Sequence, residues 1–166
     1  ICPVPSEDPM KKEFICEALV EDIQKGGYSA IAVAEAKHLD DAWNYSGIIH
    51  DPTTEHNEWC SGHSSTCRMF DPNLLTHHGY QVGIMNGREP TGIEQDVAIY
   101  RKFRPGLFLY DPTEKRIEWI DRQPLLEDPS ASTITFASEL VTLNEKEAIL
   151  YAHPNDSFVR AYKLDI

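Results

Sequence analysis

Short β-branched or aromatic runs, separated by turn-forming residues, fill the carboxyl-terminal half of this 166-residue sequence. The turns include Asn86-Gly87, Asp111-Pro112 and Asp128-Pro129. Runs of this length favour strands, and short separations favour antiparallel neighbours. The sequence therefore predicts an antiparallel meander. Its strands are expected over residues 80–85, 96–100, 106–110, 116–120, 133–136, 148–151 and 158–162.

The amino-terminal segment carries the signals of a helix. Asp8 is a suitable N-cap, Pro9 suits the first turn, and Gly26-Gly27 supplies a stop. Apolar residues between these signals form a stripe. They are Met10, Phe14, Ile15, Leu19 and Ile23.

A second helix is favoured over residues 29–43, where Ala32, Ala36 and Trp43 fall at helical spacing. The alternation of Ile31 and Val33 with alanines is the strand alternative for the same segment. Residues 44–79 are polar and have no sustained period, which predicts a long loop region. We expect a single α+β domain over 1–166, helical and loop-rich to residue 79 and antiparallel from residue 80. One helix, or two, would pack on a curved sheet.

Four cysteines indicate a disulfide framework in an oxidising compartment. The simplest pairing joins Cys2 to Cys16 and Cys60 to Cys67. The chain begins Ile-Cys, as a processed secreted protein would, and the sequons at Asn44 and Asn155 are potential glycosylation sites. These features predict a secreted, extracellular, disulfide-stapled glycoprotein.

The net charge of −12 disfavours nucleic acid and anionic membranes as partners, because phosphate groups attract Lys and Arg. No apolar run approaches the ~20 residues that span a bilayer. A local basic stretch contains Arg101, Lys102, Arg104 and Arg116. It is either a solvated hairpin face or a patch that binds an acidic protein partner.

Six of the seven histidines lie between residues 38 and 78. His56 and His63 could contribute to a zinc site, but no metal motif accompanies them, so solvated loop histidines and no cofactor are expected. An enzyme alternative places His77 or His78 opposite Glu118 for general acid and base catalysis. No nucleophile elbow or phosphate-binding loop is present.

The order of features resembles the small secreted fungal guanyl-specific ribonucleases and the ribonuclease-like effectors of plant-pathogenic fungi. The resemblance covers residues 8–122: a helix ending in glycine and tyrosine, a polar loop, a strand at 80–85, a glycine-bearing loop at 86–95, and a hairpin at 106–121. It implies a ribonuclease-like fold and a role in virulence.

The catalytic residues of those nucleases are not matched. Gln81 and Val82 stand where a Glu is expected, Leu107 or Phe108 where an Arg is expected, and Asp121-Arg122 near the expected final His. No Tyr-Pro-His occurs. The resemblance therefore implies a scaffold without ribonuclease activity.

The function predicted from the sequence is that of a secreted, non-catalytic binding protein, such as an effector that engages a host protein. The alternative is a secreted hydrolase or nuclease, metal-dependent or not, that uses the histidine-rich segment 50–78.

Overall fold

The protein is built almost entirely of antiparallel strands. The computed structural model describes residues 2–5, 12–22, 26–38, 40–94, 97–99 and 102–166. The first sheet contains β1 (Cys2–Val4), β2 (Lys12–Asp22), β3 (Gly26–Ala36) and β4 (Asn44–His50). Short 3-10 turns at Pro52–Thr54 and Glu58–Cys60 lead to the second sheet.

The second sheet contains β5 (His63–Met69), β6 (Thr76–His77), β7 (Tyr80–Arg88), β10 (Phe103–Asp111) and β11 (Arg116–Ile120). A separate hairpin, β8 (Gly92–Glu94) and β9 (Val97–Ile99), is inserted between β7 and β10. The third sheet contains β12 (Thr135–Asn144), β13 (Glu147–Pro154) and β14 (Arg160–Asp165).

Each large sheet is a meander whose strands lie side by side in chain order. The orders are β1-β2-β3-β4, β5-β7-β10-β11 and β12-β13-β14, with β6 paired to β7. The first strand of each meander lies close to the first strand of the next, so β5 contacts both β1 and β12. The three sheets therefore stack in the order in which the chain makes them.

The second sheet is the middle layer and is covered on both faces. Alternate residues of a strand point to opposite faces, and here both sets are apolar. Met85, Phe108 and Tyr110 join a core with Ile15 and Val33 of the first sheet. The residues that point the other way join a core with the third sheet. They are Val82, Ile84, Leu107 and Leu109, packed against Ala137, Leu140, Ala148 and Leu150.

Two glycines let a tryptophan lie against the middle sheet. A Cβ atom at Gly106 would stand 2.3 Å from Cη2 of Trp59, and one at Gly87 would stand 2.6 Å from Cζ3 of the same ring. The indole Nε1 donates a hydrogen bond of 2.9 Å to the Asp121 carbonyl. The close approach of the buried Trp59 ring requires glycine at both positions. The same ring anchors the 3-10 turn to which Trp59 belongs.

The predicted α+β architecture is wrong, since the described residues contain no α-helix. The residues of the first predicted helix from 12 onward form β2, which pairs along its whole length with β3. Asp8, Pro9, Met10 and Ile23 lie outside the described residues. The segment predicted as a second helix contains most of β3 and extends to the residue before β4. An all-β chain also contradicts the ribonuclease-like fold.

The disulfide prediction is wrong as well, since all four cysteines are free. Cys2 pairs in register with Ile15, so the next residue, Cys16, points to the opposite face of the first sheet. Cys60 and Cys67 belong to the two different cores on either side of the second sheet. Burial raises the thiol pKa of Cys2 to about 11 and those of Cys60 and Cys67 to about 12. The prediction that the protein is secreted no longer has disulfides to support it and stays a prediction.

Strands occupy most of the runs predicted from residue 80 onward, and the one at Arg116–Ile120 has the predicted bounds. Residues 96 and 100 lie outside the described residues. Within the described part of the chain, no helix has the length and apolar character needed to cross a membrane.

Candidate functional site

An open groove of about 1040 Å³ lies where the first strands of the three sheets end. We call it the edge groove. The first sheet contributes Pro5, just after β1. The other residues that line it belong to or follow strands of the second and third sheets: Met69, Phe70, Asp71, Pro72, Asn73, Thr76, Gly79, Gln81, Pro112, Leu140, Val141 and Thr142.

Gln81 is the buried polar residue of the edge groove. Its side chain is placed by β7, where it pairs in register with Tyr110 of β10, and it is only 9% exposed. The amide Nε2 donates a 3.1 Å hydrogen bond to the Pro5 carbonyl. The amide Oε1 is buried without a hydrogen-bond donor among the described residues. An unpaired buried acceptor costs about 1–3 kcal/mol, so a donor that reached it would be favoured.

The loop after β5 brings one carboxylate to the groove. Asp71 Oδ1 accepts hydrogen bonds from the backbone N–H of Asn73, at 2.9 Å, and from its side-chain amide, at 3.0 Å. The backbone N–H groups of Leu74 and Leu75 donate to the Asp71 carbonyl. The Asp-Pro-Asn sequence forms this turn locally, because Asp and Asn bond their own backbone and Pro fixes φ. The turn leaves Asp71 exposed at the rim.

An unpaired strand edge runs along the groove. Among the described strands, β12 pairs only with β13, so the other edge of β12 has no partner strand. Val141 and Thr142 of β12 line the groove at this edge. Such an edge can accept an extended peptide through main-chain hydrogen bonds.

The edge groove has a simple electrostatic character. Its described lining contains one carboxylate, Asp71, and no Lys, Arg or His. The chain as a whole carries a charge of −12. A cationic or neutral ligand is therefore favoured over an anionic one.

A partly buried ionic network lies between the first and second sheets. Tyr110 donates a 2.8 Å hydrogen bond to Glu13, which is only 5% exposed. Lys115 Nζ lies 2.6 Å from Glu35 and 3.7 Å from Glu13. Burial, followed by the hydrogen bond to Glu13, raises the pKa of Tyr110 well above its usual range. These groups are engaged with one another and join the two sheets.

A second, polar pocket of about 310 Å³ is lined by His50, Glu55, Asn57 and residues of β11, including Glu118. His50 Nε2 lies 3.2 Å from Ser64 Oγ, and Ser64 Oγ donates to the Cys60 carbonyl. Ser64 is fully buried, and its Oγ is engaged with His50 and with the Cys60 carbonyl. Burial lowers the pKa of His50 although Glu55 and Asp51 oppose the shift. The pair resembles a catalytic dyad in composition but is a structural contact.

The proposed catalytic residues are not brought together. His77 and His78 pack against each other, with ring centres 4.3 Å apart, at the exposed turn between β6 and β7. Glu118 lies on β11, and both β10 and β7 separate it from β6. At ~4.8 Å per strand this places it roughly 14 Å away across the sheet.

The alternative metal residues occupy different surroundings. His56 is exposed, whereas His63 Nδ1 accepts a 3.2 Å hydrogen bond from the Ser29 backbone and its ring packs edge-on against Phe103. Burial and the nearby Arg88 lower the pKa of His63. No group of three or more metal-binding side chains occurs within the described part of the chain.

The basic residues proposed for partner binding are spread over different surroundings. Arg104 bonds to Glu89, lies 3.9 Å from Glu127, and has a side chain only 16% exposed. Arg116 is paired with Glu118 at 2.8 Å. Lys102 precedes β10, and Arg101 lies outside the described residues.

The two sequons also differ in their surroundings. Asn44 is exposed at the start of β4. Asn155 uses its side-chain amide within the protein, where Nδ2 donates to the Ser130 carbonyl and Oδ1 accepts from the Ser132 and Thr133 backbones.

The edge groove was missed by the sequence reasoning. Two signals were available: Gln81 is a lone polar residue inside the strongly predicted strand 80–85, and Asp71-Pro72-Asn73 is a rigid turn rather than part of a loose loop. The groove itself depends on three strand ends that are distant in sequence, and no local pattern joins them.

The sequence matches no protein-family model and no curated protein. Among solved structures, it is similar to a glycosyl hydrolase from Bacteroides ovatus, with 12% identity and a TM-score of 0.36. The likeness covers 95% of this chain and 62% of that one, so this chain spans less than two thirds of that protein. At this TM-score the likeness carries no argument about fold or activity.

Proposed function

We propose that this protein is a non-catalytic binding protein that holds an extended, basic segment of a partner protein in the edge groove. The observation that carries the proposal is a groove whose lining combines the edge of β12, unpaired among the described strands, with the buried, unpaired Oε1 of Gln81. A peptide strand added to this edge would supply backbone N–H donors.

The shape and charge of the groove support the same class of ligand. Its volume of about 1040 Å³ is at the upper end of the ~300–1,000 Å³ typical of small-molecule sites, and it is open. Its polar side chains belong to separate segments of the chain, from the turn at Asp71 to Thr142 of β12. An extended chain uses such an arrangement better than a compact molecule does. Asp71 and the overall negative charge favour Lys or Arg in that chain.

The test uses isotope-labelled protein titrated with a short lysine-rich peptide and with a glutamate-rich peptide of equal length. We expect amide shifts that are confined to the groove residues and appear with the lysine-rich peptide only. Asp71→Asn keeps an oxygen for the turn but removes the charge, and it should weaken binding about two- to fivefold, as expected for one exposed ion pair.

The matched control is Asp156→Asn, which makes the same charge change at an exposed turn near the opposite end of the third sheet. It should leave the affinity unchanged. Equal binding of both peptides, equal losses in the two variants, or shifts outside the groove would contradict the proposal.

A further inference from the structure

The unpaired edge of β12 is not uniform along its length. In an antiparallel ladder, alternate residues turn their main-chain groups toward the paired strand, and the residues between them turn theirs away. The main-chain groups of Ala137 and Leu140 bond to side chains, which identifies both residues as turned away from β13. They are three positions apart rather than two because the register shifts between Ala137 and Glu139, where a bulge adds one residue.

A buried asparagine covers the edge at Ala137. Asn86 of β7 is fully buried. Its Oδ1 accepts a 2.7 Å hydrogen bond from the Ala137 N–H, and its Nδ2 donates a 2.9 Å hydrogen bond to the Ala137 carbonyl. A side-chain amide offers the same acceptor and donor as a peptide group. Asn86 therefore takes the place of a partner strand at this position.

A charged pair covers half of the edge at Leu140. Glu139 Oε1 accepts a 3.0 Å hydrogen bond from the Leu140 N–H. The same carboxylate is held by Arg68 of β5, whose Nε and Nη2 donate to its two oxygens at 2.7 and 2.8 Å. A guanidinium that bonds both oxygens fixes the position of a carboxylate. The Leu140 N–H is therefore occupied by a side chain that cannot turn away freely.

Three main-chain groups of the edge stay open beside the groove. They are the Leu140 carbonyl and both main-chain groups of Thr142, which lies two residues further along β12 and turns the same way. The hydrogen bonds among the described residues include none to these three groups. Leu140 and Thr142 both line the edge groove. The open part of the edge thus coincides with the groove.

We infer that the partner segment pairs with β12 only through the Leu140 carbonyl and the two main-chain groups of Thr142. This register rests on the proposed function and adds to it the length of the paired segment. An added strand of either direction satisfies all three groups. Two of its alternate residues donate their N–H groups to the two carbonyls, and one of them accepts from the Thr142 N–H. Three consecutive residues of the partner are enough.

Glu139 determines where this pairing ends. The next carbonyl of an added strand would point to the Leu140 N–H, which is already bonded to Glu139. Two acceptors would then compete for one donor, and a carbonyl left without a donor is costly unless water reaches it. The partner is therefore expected to leave the edge at this point. Glu139, held by Arg68, is a positioning residue for the bound segment.

Hydrogen exchange of single backbone amides, followed by NMR on the whole chain, tests the open and covered positions. In the free protein, we expect the Thr142 amide to exchange faster than the Leu140 amide, which is bonded to Glu139. The lysine-rich peptide, at ten times its Kd, should slow the exchange of Thr142 about tenfold. It should leave the exchange of Leu140 almost unchanged.

Glu139→Ala opens the covered position. Its Leu140 amide should exchange about two- to tenfold faster in the free protein, as expected for the loss of one hydrogen bond. The lysine-rich peptide should then slow this amide too, because a further carbonyl of the added strand can reach it. Glu118→Ala is the matched control, since Glu118 is also paired with an arginine, Arg116 at 2.8 Å, but lies on β11. It should leave the exchange of Leu140 and Thr142 unchanged.

The possible results separate this register from the proposed function. A Thr142 amide as slow as Leu140 in the free protein would show that the edge is covered, and it would overturn the register without any peptide. Peptide binding that shifts other groove amides but leaves Thr142 exchange unchanged would overturn the register alone. Equal exchange of Leu140 in Glu139→Ala and the wild type would overturn the role of Glu139. A lysine-rich peptide that does not bind would overturn the proposed function and the register together.

Discussion

Replacing Gly106 by alanine tests the packing between Trp59 and the middle sheet. The added Cβ would stand 2.3 Å from Cη2 and 2.5 Å from Cζ2 of the indole. Carbon atoms in contact are separated by about 3.5–4.0 Å, so the ring or the strand must move by more than ~1 Å. Trp59 is 4% exposed and its Nε1 is bonded to Asp121, which leaves little freedom to move.

The expected cost follows from these two constraints. Overpacking of a core costs about 1–3 kcal/mol, and loss of the indole hydrogen bond adds about 1 kcal/mol. Alanine also lowers the conformational entropy of the unfolded chain, which offsets about 0.4–1 kcal/mol of this cost. We therefore expect Gly106→Ala to lower the free energy of unfolding by about 1–3 kcal/mol, and Tm by roughly 2–12 °C for a chain of this size.

Urea unfolding followed by tryptophan fluorescence and circular dichroism measures this change. The matched control is Gly27→Ala on β3, where an added Cβ would have no neighbour closer than Val20 O at 3.9 Å. The control should change stability by less than about 0.5 kcal/mol. If Gly106→Ala were as stable as the wild type with an unchanged m-value, Trp59 would not lie where the structure places it.

Three further variants test the groove and the charges behind it. Gln81→Met removes the unpaired acceptor together with the hydrogen bond to Pro5. We expect the free energy of unfolding to stay within about 1 kcal/mol of the wild type and the lysine-rich peptide to bind more weakly in titration. Unchanged peptide affinity would contradict the role of Gln81. Lys115→Met leaves the carboxylates of Glu13 and Glu35 without this cation and should cost about 2–4 kcal/mol in urea unfolding, whereas Lys146→Met at an exposed turn should cost almost nothing. Hydrogen bonds from Ser130 and Tyr162 hold the pKa of Asp128 well below its usual range. The ionised carboxylate therefore stabilises the fold above about pH 4, and this effect is lost as the pH falls toward the lower pKa of the folded state. In Asp128→Asn, the fall of Tm between about pH 4 and pH 2 should be flatter than in the wild type.

The carboxyl-terminal strands were predictable because each run is short and bounded by its own turn. Arg116–Ile120, for example, follows the turn at Asp111-Pro112 and pairs with the strand before that turn. In this hairpin, the residue types favour strands and the strand partner is the neighbouring segment of the chain, so both predict the same structure. No comparable turn joins the strands that form the edge groove, so its residues could be found only in the folded chain.

The buried charges were unpredictable for a related reason. Arg104 was considered as part of an exposed patch, but its partners Glu89 and Glu127 approach it from segments on either side in the sequence. Glu13 lies in the segment predicted as the first helix, and it is buried against Tyr110, which is far away in sequence. Charge counts along a sequence do not show which carboxylates meet which cations.

The wrong helix prediction has a physical origin in the apolar pattern of the strands. Strands buried on both faces carry apolar residues at consecutive positions, as Ile84-Met85 and Phe108-Leu109 do in the middle sheet. The first sheet has the same pattern in Phe14-Ile15, Ile31-Ala32 and Ile48-Ile49, although the described strands cover only one of its faces. Consecutive apolar residues with small neighbours also imitate a helical stripe, which explains the prediction over β2 and β3.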